Sequence, residues 1–268
     1  MCQTCGCANT SDEILDSRTV EVMAGLLSAN DEQAARNRDV FGRHDVMVVN
    51  LMSSPGAGKT SLLETTARQL PPGLRVAVIE GDLATENDAE RVRRAGLRAV
   101  QITTGSACHL DAAMIAAALP QLDLHDLDVL FIENVGNLVC PASFDLGQHF
   151  NVTLLSVPEG DDKPSKYPVM FRAADLVLLT KMDLAPHLPD FRPERARDNL
   201  QQLATAAKCM ELSAQSGAGM GDWLAWLSES RNSHCRDLQT GHNRRPRVAT
   251  EGALLHATDA MSEARDGR

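Results

Sequence analysis

The sequence lacks the long apolar stretches that membrane proteins need. No uninterrupted run approaches the roughly 18 to 20 apolar residues that cross a bilayer as a helix. The first residues, MCQTCGCANTSDE, also lack the positive charge and the apolar segment of a secretory signal. These absences predict a cytoplasmic protein without a membrane partner.

Basic residues are in the minority. The 268 residues include 26 Lys and Arg against 36 Asp and Glu, a formal net charge of -10. Nucleic-acid binding depends on clustered cations that neutralise phosphates, so this balance argues against a nucleic-acid partner. Small anions held by local backbone dipoles are still compatible with it.

The cysteines do not suit a disulfide framework. Their number, seven, is odd, and three of them stand within the first seven residues. Such crowding is typical of thiolate ligands in a reducing compartment rather than of paired cysteines in secreted proteins. The pattern indicates metal or redox chemistry at the N-terminus.

The length and the 43% hydrophobic content favour one domain with extensions. From residue 45, short apolar runs alternate with helical stretches, which predicts an α/β fold: a doubly wound, mostly parallel sheet with helices on both faces. The predicted strands are DVMVVNLM, RVAVIEGD, LRAVQIT, DVLFIE, VTLLSV, DLVLLT and CMELS. Helices are predicted to begin near Lys59, Thr85, Leu110, Pro193 and Met220.

The chain divides into four predicted segments. Residues 1–16 form a Cys-rich arm, and residues 17–44 form a helical lead-in with apolar residues at roughly helical spacing. Residues 45–230 form the α/β domain. Residues 231–268 are polar and without sustained periodicity, which predicts a disordered tail.

A phosphate-binding loop follows the first predicted strand. SSPGAGKT, residues 53–60, runs from an apolar strand into a helical stretch, the context that a Walker A loop requires. Glycines let backbone N–H groups approach phosphate, while the helix N-terminus and a lysine add positive charge. Ser53 stands where the usual pattern has its first Gly, and a chance glycine turn is the alternative. The predicted nucleotide-binding residues here are Gly56, Ala57, Gly58, Lys59, Thr60 and Ser61.

A second nucleotide element follows a later strand. Thr180-Lys181-Met182-Asp183 resembles the [NT]-K-x-D element of GTPases, in which Lys181 and Asp183 serve the base. Ser213 and Ala214, further along the chain, are also predicted to bind the nucleotide. An Asp carboxylate accepts from the guanine N1–H and amine, whereas adenine presents the wrong pattern. The tetrad alone is weak, because a surface turn uses the same residue types.

Carboxylates at strand ends supply candidates for metal binding and hydrolysis. Thr60 and Asp82 are predicted to hold Mg²⁺, and Glu133 begins ENVG, which stands where GTPases carry D-x-x-G. The predicted catalytic set is therefore Lys59, Thr60, Asp82 and Glu133. Polar residues in an ordinary loop are the alternative for ENVG. No Gln or Arg finger stands out, which favours slow intrinsic hydrolysis and switching by the γ-phosphate.

Two groups of soft ligands are candidates for a transition metal. Cys2, Cys5 and Cys7 form C-x-x-C-G-C, which suits planar Ni²⁺ or tetrahedral Zn²⁺; a redox thiol pair or a plain terminus is the alternative. Cys108-His109 and Cys140 each follow a predicted strand and are expected to meet at one sheet edge. Separately, each is more often a buried thiol or imidazole.

These motifs together resemble the HypB family of hydrogenase nickel-incorporation GTPases, in the SIMIBI class of P-loop NTPases. The resemblance covers about residues 1–230 and rests on MCQTCGC, NLMSSPGAGKTSLLE, VIEGDLATENDAER, TGSACHLDA, LFIENVGNLVCPASFDLG and SVPEGDDKPSKYPVMF. It implies GTP and GDP binding with Mg²⁺, a high-affinity nickel site in the arm and a nickel or zinc site in the GTPase domain. It also implies a homodimer, an accessory protein of the HypA type and delivery of nickel to the hydrogenase large subunit.

Three features depart from the family pattern. Thr180 replaces the commoner Asn, the arm lacks a histidine-rich tract, and the tail beyond about Arg231 is additional. For the dimer, Leu184 and Leu188 form an apolar pair at i, i+4, with core burial as the alternative. The rival functions are a urease-type nickel GTPase, a metal store or sensor with a vestigial nucleotide site, and a purely structural partner-binding protein.

Overall fold

The protein is described from a computed structural model that covers residues 17–83, 86–203 and 207–246. Seven parallel strands form one sheet in the order β3-β2-β4-β1-β5-β6-β7. The predicted parallel α/β fold is confirmed. The strands are β1 Met47–Ser53, β2 Val76–Asp82, β3 Arg98–Thr103, β4 Val129–Glu133, β5 Phe150–Ser156, β6 Leu176–Thr180 and β7 Lys208–Glu211.

Helices cover both faces of the sheet. No helix in the described ranges is long and apolar enough to cross a membrane. The α-helices are α1 Ser17–Arg43, α2 Lys59–Gln69, α3 Asn87–Arg94, α4 Ala112–Ala118, α5 Lys163–Lys166, α6 Pro168–Arg172, α7 Pro193–Gln202 and α8 Met220–Gln239. Short 3-10 helices span Leu119–Gln121, Leu124–Asp126, Cys140–Ser143, Val157–Glu159 and Met182–His187.

The central strands are apolar on both sides because both of their faces are covered. Every residue of β1, β4, β5 and β6 is buried, so these strands read as nearly continuous apolar runs, interrupted by buried polar residues such as Asn50 and Asn151. On one face they pack against Leu62 and Leu63 of α2 and Trp223 of α8. On the other face, Phe41 of α1 and Ile115 of α4 pack against the sheet.

The predicted start of the tail at residue 231 is wrong. Helix α8 continues to Gln239, and the described chain runs on to residue 246. His234 is fully buried, with its ring 4.1 Å from the ring of His149, so the polar sequence hides a packed helix turn. Residues 247–268 lie outside the described chain, as does the arm of residues 1–16.

Candidate functional site

The phosphate loop connects the carboxyl end of β1 to the start of α2. Gly56 and Gly58 have φ angles of 75° and 101°, a region that residues with a side chain rarely adopt. A cleft of about 400 Å³ opens above the loop, and Gly56, Gly58, Lys59, Thr60 and Ser61 all line it. Ala57 is fully buried beneath them. The loop thus has the open backbone and the helix N-terminus that a phosphate requires.

Ser53 contacts the lysine of the loop. Lys59 Nζ donates to Ser53 Oγ at 3.0 Å, and the pKa of Lys59 is lowered because the ammonium is buried. A buried ammonium that shares one hydroxyl acceptor is poorly solvated, so an anionic phosphate is a stronger partner for it. The substitution of the usual glycine therefore leaves the anion site intact.

Two carboxylates stand beneath the cleft on neighbouring strands. Glu133 on β4 is in register with Glu80 on β2, and both side chains are buried. Thr60 Oγ1 donates to Glu133 Oε1 at 2.8 Å. Burial raises the pKa of Glu133 to about 7, and burial together with the neighbouring Glu133 raises the pKa of Glu80 to about 8.

These oxygens fit a divalent cation. Glu133 Oε2 is buried without a hydrogen-bond partner among the described residues, and Asp82 lines the same cleft at the end of β2. A hard cation such as Mg²⁺ prefers oxygen ligands, and the Thr60 hydroxyl, Asp82 and Glu133 offer them beside the phosphate loop. The donor set therefore suits Mg²⁺ bound together with a phosphate.

The segment after β4 contacts the phosphate loop directly. A Cβ atom at Gly136 would come within 2.8 Å of the Pro55 backbone, so only glycine fits there. Asn137 N donates to Ser53 O at 2.8 Å, which joins the same segment to the end of β1. Residues 134–137 and the phosphate loop thus form one packed unit at the cleft.

The predicted base-reading element lies next to the phosphate loop. Lys181 has a φ of 58° and lines the cleft, while Thr180 Oγ1 donates to Ala57 O at 2.7 Å. Ser213 Oγ donates to Asp183 Oδ1 at 2.5 Å, which orients the carboxylate. Ala214 O accepts from Thr65 Oγ1 at 3.1 Å and so ties the second loop to α2.

Cys108, His109 and Cys140 come together as predicted. Their ligand atoms lie within 4.8 Å of one another, the one group of three or more His, Cys or carboxylate side chains in the described ranges that could hold a metal. The two Sγ atoms are 3.1 Å apart, and Cys108 Sγ is 3.8 Å from His109 Nδ1. Two thiolates and an imidazole suit Zn²⁺ or Ni²⁺.

The three-ligand cluster of Cys108, His109 and Cys140 is partly enclosed. Cys140 is buried, and the His109 ring stacks on Phe144 with 3.8 Å between centroids. Burial lowers the pKa of His109, which favours the neutral imidazole that binds metals. The packing thus holds the imidazole in place and in its ligating form.

Three charged cleft residues were not singled out from the sequence: Glu80, Asp88 and Arg91. Arg91 Nη2 donates to Ser61 Oγ at 3.2 Å and to Glu64 at 2.9 Å, which orders the start of α2. Because alternate residues of a strand share a face, Glu80 lies on the same face of β2 as the predicted ligand Asp82, so the sequence could have indicated it. Asp88 and Arg91 lie on α3, whose position against α2 only the tertiary structure sets.

The remaining predicted ligands cannot be placed. Cys2, Cys5 and Cys7 lie outside the described residues, so the arm site stays a prediction. In the predicted dimer pair, Leu188 is exposed, whereas Leu184 packs against the apolar cluster around β6.

Comparisons with known proteins agree with this geometry. The family model described as "CobW/HypB/UreG, nucleotide-binding domain" matches residues 47–211. A hydrogenase maturation factor HypB from Azotobacter chroococcum is 51% identical over 220 residues, covering 82% of this chain and 72% of that protein.

Two solved structures are also similar. HypB from Helicobacter pylori, crystallised in complex with nickel, is 42% identical with a TM-score of 0.74, covering 77% of this chain and 96% of that one. The hydrogenase maturation factor HypB from Archaeoglobus fulgidus is 38% identical with a TM-score of 0.71, covering 76% of this chain and 100% of that one.

Proposed function

The chain belongs to the HypB family of hydrogenase maturation factors, and on that premise we propose that it is a GTP-hydrolysing nickel metallochaperone. Its task is to insert nickel into the large subunit of [NiFe] hydrogenase, with the nucleotide state controlling metal affinity and dimerisation. One observation carries the proposal: the three-ligand cluster and the phosphate cleft share the segment from Glu133 to Cys140.

Binding of GTP follows from groups already in position. The backbone of Gly56 and Gly58 and the N-terminus of α2 face the phosphates, and Lys59 exchanges the Ser53 hydroxyl for a phosphate oxygen. Asp183, oriented by Ser213, accepts from the guanine edge. Thr60, Asp82 and Glu133 are the residues that would hold Mg²⁺, which neutralises charge on the phosphates.

Hydrolysis is expected to be slow. Among the cleft residues, Arg91 is engaged with Glu64 and Asp88, and no Gln stands in the lining. Positioning and charge stabilisation account for most catalysis of phosphoryl transfer, so a cleft without a dedicated arginine turns over slowly. Slow turnover suits a timer of metal delivery.

Gating of the metal is supported by the packing of Gly136. A terminal phosphate that draws the Gly136 N–H would move a segment packed on Pro55, and Cys140 lies on that segment. A change in the Cys140 position alters the geometry offered to the cation, and thus its affinity. Nickel, with zinc as the competing ion, is bound as cargo by the thiolates and imidazole.

The partners follow from the same proposal. The arm with Cys2, Cys5 and Cys7 would hold a second nickel ion, and an accessory protein of the HypA type would exchange metal with the GTPase domain. Both the GTP-bound and the metal-bound forms are proposed to dimerise in the cytoplasm. A metal store with a vestigial nucleotide site is the alternative that needs exclusion.

Phosphate release and metal titration test the proposal together. Wild type should release phosphate from GTP, and Lys59→Ala should reduce the rate by at least about 100-fold because the loop loses its cation. Lys166→Ala removes an exposed lysine on α5 and serves as the control with a normal rate. Nickel affinity measured with GDP and with a non-hydrolysable GTP analogue should differ. Absence of hydrolysis in wild type would favour the metal store.

A further inference from the structure

Asn134 lies between the phosphate cleft and the three-ligand cluster of Cys108, His109 and Cys140. It directly follows β4, is 1% exposed, and its N–H donates to Leu51 O at 3.0 Å. Its neighbours Glu133 and Val135 line the cleft, and so does Asn134 itself. The Glu133 side chain accepts from Thr60 of the phosphate loop, whereas the Asn134 side chain bonds to Asn50 of β1 and to the backbone of Leu110.

The Asn134 side chain holds the turn that carries the metal ligands. Its Oδ1 accepts from Leu110 N at 3.2 Å, and Leu110 directly follows His109. The same Oδ1 accepts from Val135 N at 2.9 Å, within the segment that leads to Gly136. Asn134 Oδ1 therefore bonds both to the backbone next to His109 and to the backbone next to Gly136.

The other half of the amide is anchored in the sheet. Asn134 Nδ2 donates to Asn50 Oδ1 at 3.2 Å, and Asn50 Nδ2 donates to Asn151 Oδ1 at 3.2 Å. Asn151 Oδ1 also accepts from Gln148 Nε2 at 2.9 Å. All four amides are buried, so their mutual hydrogen bonds are costly to break. These bonds hold the Nδ2 end of the Asn134 amide against the sheet.

The phosphate loop leaves the segment little independent freedom. Gly136 packs against Pro55 and Asn137 N bonds to Ser53 O, so a shift of the loop or of Gly136 reaches Asn134 through two peptide units. The Cys140 side of the cluster moves with this segment directly. The Cys108 and His109 side has no such covalent route; the hydrogen bond from Leu110 N to Asn134 Oδ1 gives it a non-covalent link to the same segment.

We propose that Asn134 is the positioning residue that transmits nucleotide state to the Cys108-His109 half of the metal site. A movement of Gly136 towards a terminal phosphate turns the Val135 peptide, shifts Asn134 Oδ1 and displaces the backbone at Leu110. Both halves of the cluster then respond to one event, which changes the affinity for a soft divalent cation. The inference rests on the proposed gating of metal by GTP.

The chemistry of the side chain restricts substitution. The position must accept from two N–H groups and donate to the Asn50 oxygen, which an amide does and a carboxylate does not. Asn134→Asp would place an acceptor against Asn50 Oδ1, while Asn134→Ala would leave the Leu110 N–H without its partner. Asn199→Ala is the matched control, because Asn199 bonds Asp161 O at 2.9 Å on α7, outside the cleft-lining residues.

The experiment measures Ni²⁺ affinity of the full chain in GDP and in a non-hydrolysable GTP analogue. All variants carry Cys2→Ser, Cys5→Ser and Cys7→Ser so that the titration reports the domain cluster alone. Coupling between two sites commonly changes the dissociation constant of a ligand by a factor of about 5 to 150. The quantity compared is therefore the ratio of the Ni²⁺ dissociation constants in the two nucleotide states. We expect the ratio to fall towards one in Asn134→Ala and Asn134→Asp and to persist in Asn199→Ala. Binding of a fluorescent GDP should be retained in all of them.

A measurement without any Asn134 substitution covers the case of a poorly folded variant. Hydrogen exchange of the Leu110 amide in the metal-free protein should differ between the GDP and GTP-analogue states. An unchanged Leu110 rate, or a wild-type ratio in both Asn134 variants, would overturn the role of Asn134 while leaving the gating in place. A ratio of one in the wild-type sequence would instead overturn the gating, and the inference with it.

Discussion

The residue-level chemistry of the cleft centres on two adjacent buried carboxyls. Glu80 and Glu133 have raised pKa values, about 8 and about 7, against 4.5 for an unperturbed Glu. Burial penalises the charged form of each, and the ionised forms repel one another. In the absence of a cation, the folded protein therefore holds protons that the unfolded chain releases at neutral pH.

The first prediction concerns stability against pH. Between the unfolded pKa of 4.5 and the folded values of about 7 and 8, the folded state binds more protons, so the free energy of unfolding falls as pH rises. Buried His234, with a pKa lowered to about 4 by its burial, acts in the opposite sense, but only below about pH 6.5. Urea unfolding of the ligand-free protein should thus show falling stability from about pH 6.5 to about pH 8.

A matched pair of variants assigns this effect. Glu133→Gln cannot ionise, and it keeps an oxygen for the Thr60 hydroxyl. Its free energy of unfolding should therefore fall less steeply with pH than that of wild type. At pH 8 the variant should be more stable than wild type by on the order of 3 kcal/mol. Glu133→Asp should retain a slope. Equal slopes in wild type and Glu133→Gln would show that the carboxyl does not carry the effect.

At the scale of elements, helix α8 combines a strong anchor with a weak sequence signal. Trp223 is fully buried, and its Nε1 donates to Thr66 Oγ1 at 2.9 Å on α2. Trp226 stacks on it with 5.3 Å between ring centroids. Beyond Ser230 the helix continues as RNSHCRDLQ, where buried His234 packs on His149. The polar composition of this stretch thus conceals a buried histidine contact.

The second prediction is that truncation after Ser230 destabilises the domain. The change removes buried His234 and also Asn243, whose side chain donates to Arg38 O at 2.9 Å. We expect a loss of about 3 kcal/mol, comparable to emptying one large core site. Thermal unfolding should show a midpoint lower by about 10 °C. Truncation after Pro246 is the control and should leave the midpoint unchanged; equal midpoints for the two truncations would contradict the anchoring role.

At the scale of the whole molecule, an exposed leucine beside the nucleotide cleft marks a candidate contact surface, and an exposed leucine on α1 offers a control. Leu188, 38% exposed, directly follows the 3-10 helix Met182–His187, which contains Asp183 of the predicted base-reading element. Leu26, 53% exposed, lies on α1. An apolar side chain beside a nucleotide site is suited to a contact between subunits that forms only when the nucleotide orders the neighbouring segment. Leu184 packs inward, so the predicted pair is reduced to one outward residue.

The third prediction tests the proposed dimer. Leu188→Asp should weaken self-association in a GTP analogue by at least about tenfold, because a charge would be buried in the interface. Sedimentation velocity at several protein concentrations measures the change. Leu26→Asp is the matched control and should dimerise like wild type. If Leu188→Asp dimerises like wild type, the dimer contact lies elsewhere. If neither variant dimerises, the added negative charge itself prevents association, whatever its position.

Much of the fold and part of the site follow from the sequence. The seven mostly apolar runs predict the strands because a parallel sheet covered on both faces favours apolar residues. The starts of α2, α7 and α8 also agree, at Lys59, Pro193 and Met220. The phosphate loop is local, since its glycines, lysine and helix start are contiguous. The meeting of Cys108 with Cys140 follows from the rule that parallel strands end at one edge.

The tertiary structure decides whatever depends on which strands are neighbours. The order β2-β4-β1 sets Glu80 beside Glu133 and lets Asn134 reach Asn50, and no local pattern specifies that order. The α8 extension is decided in the same way, because His234 is buried only where His149 is present to pack against it. Local periodicity determines the elements, whereas contacts between distant residues determine how the phosphate cleft and the group of Cys108, His109 and Cys140 share one segment.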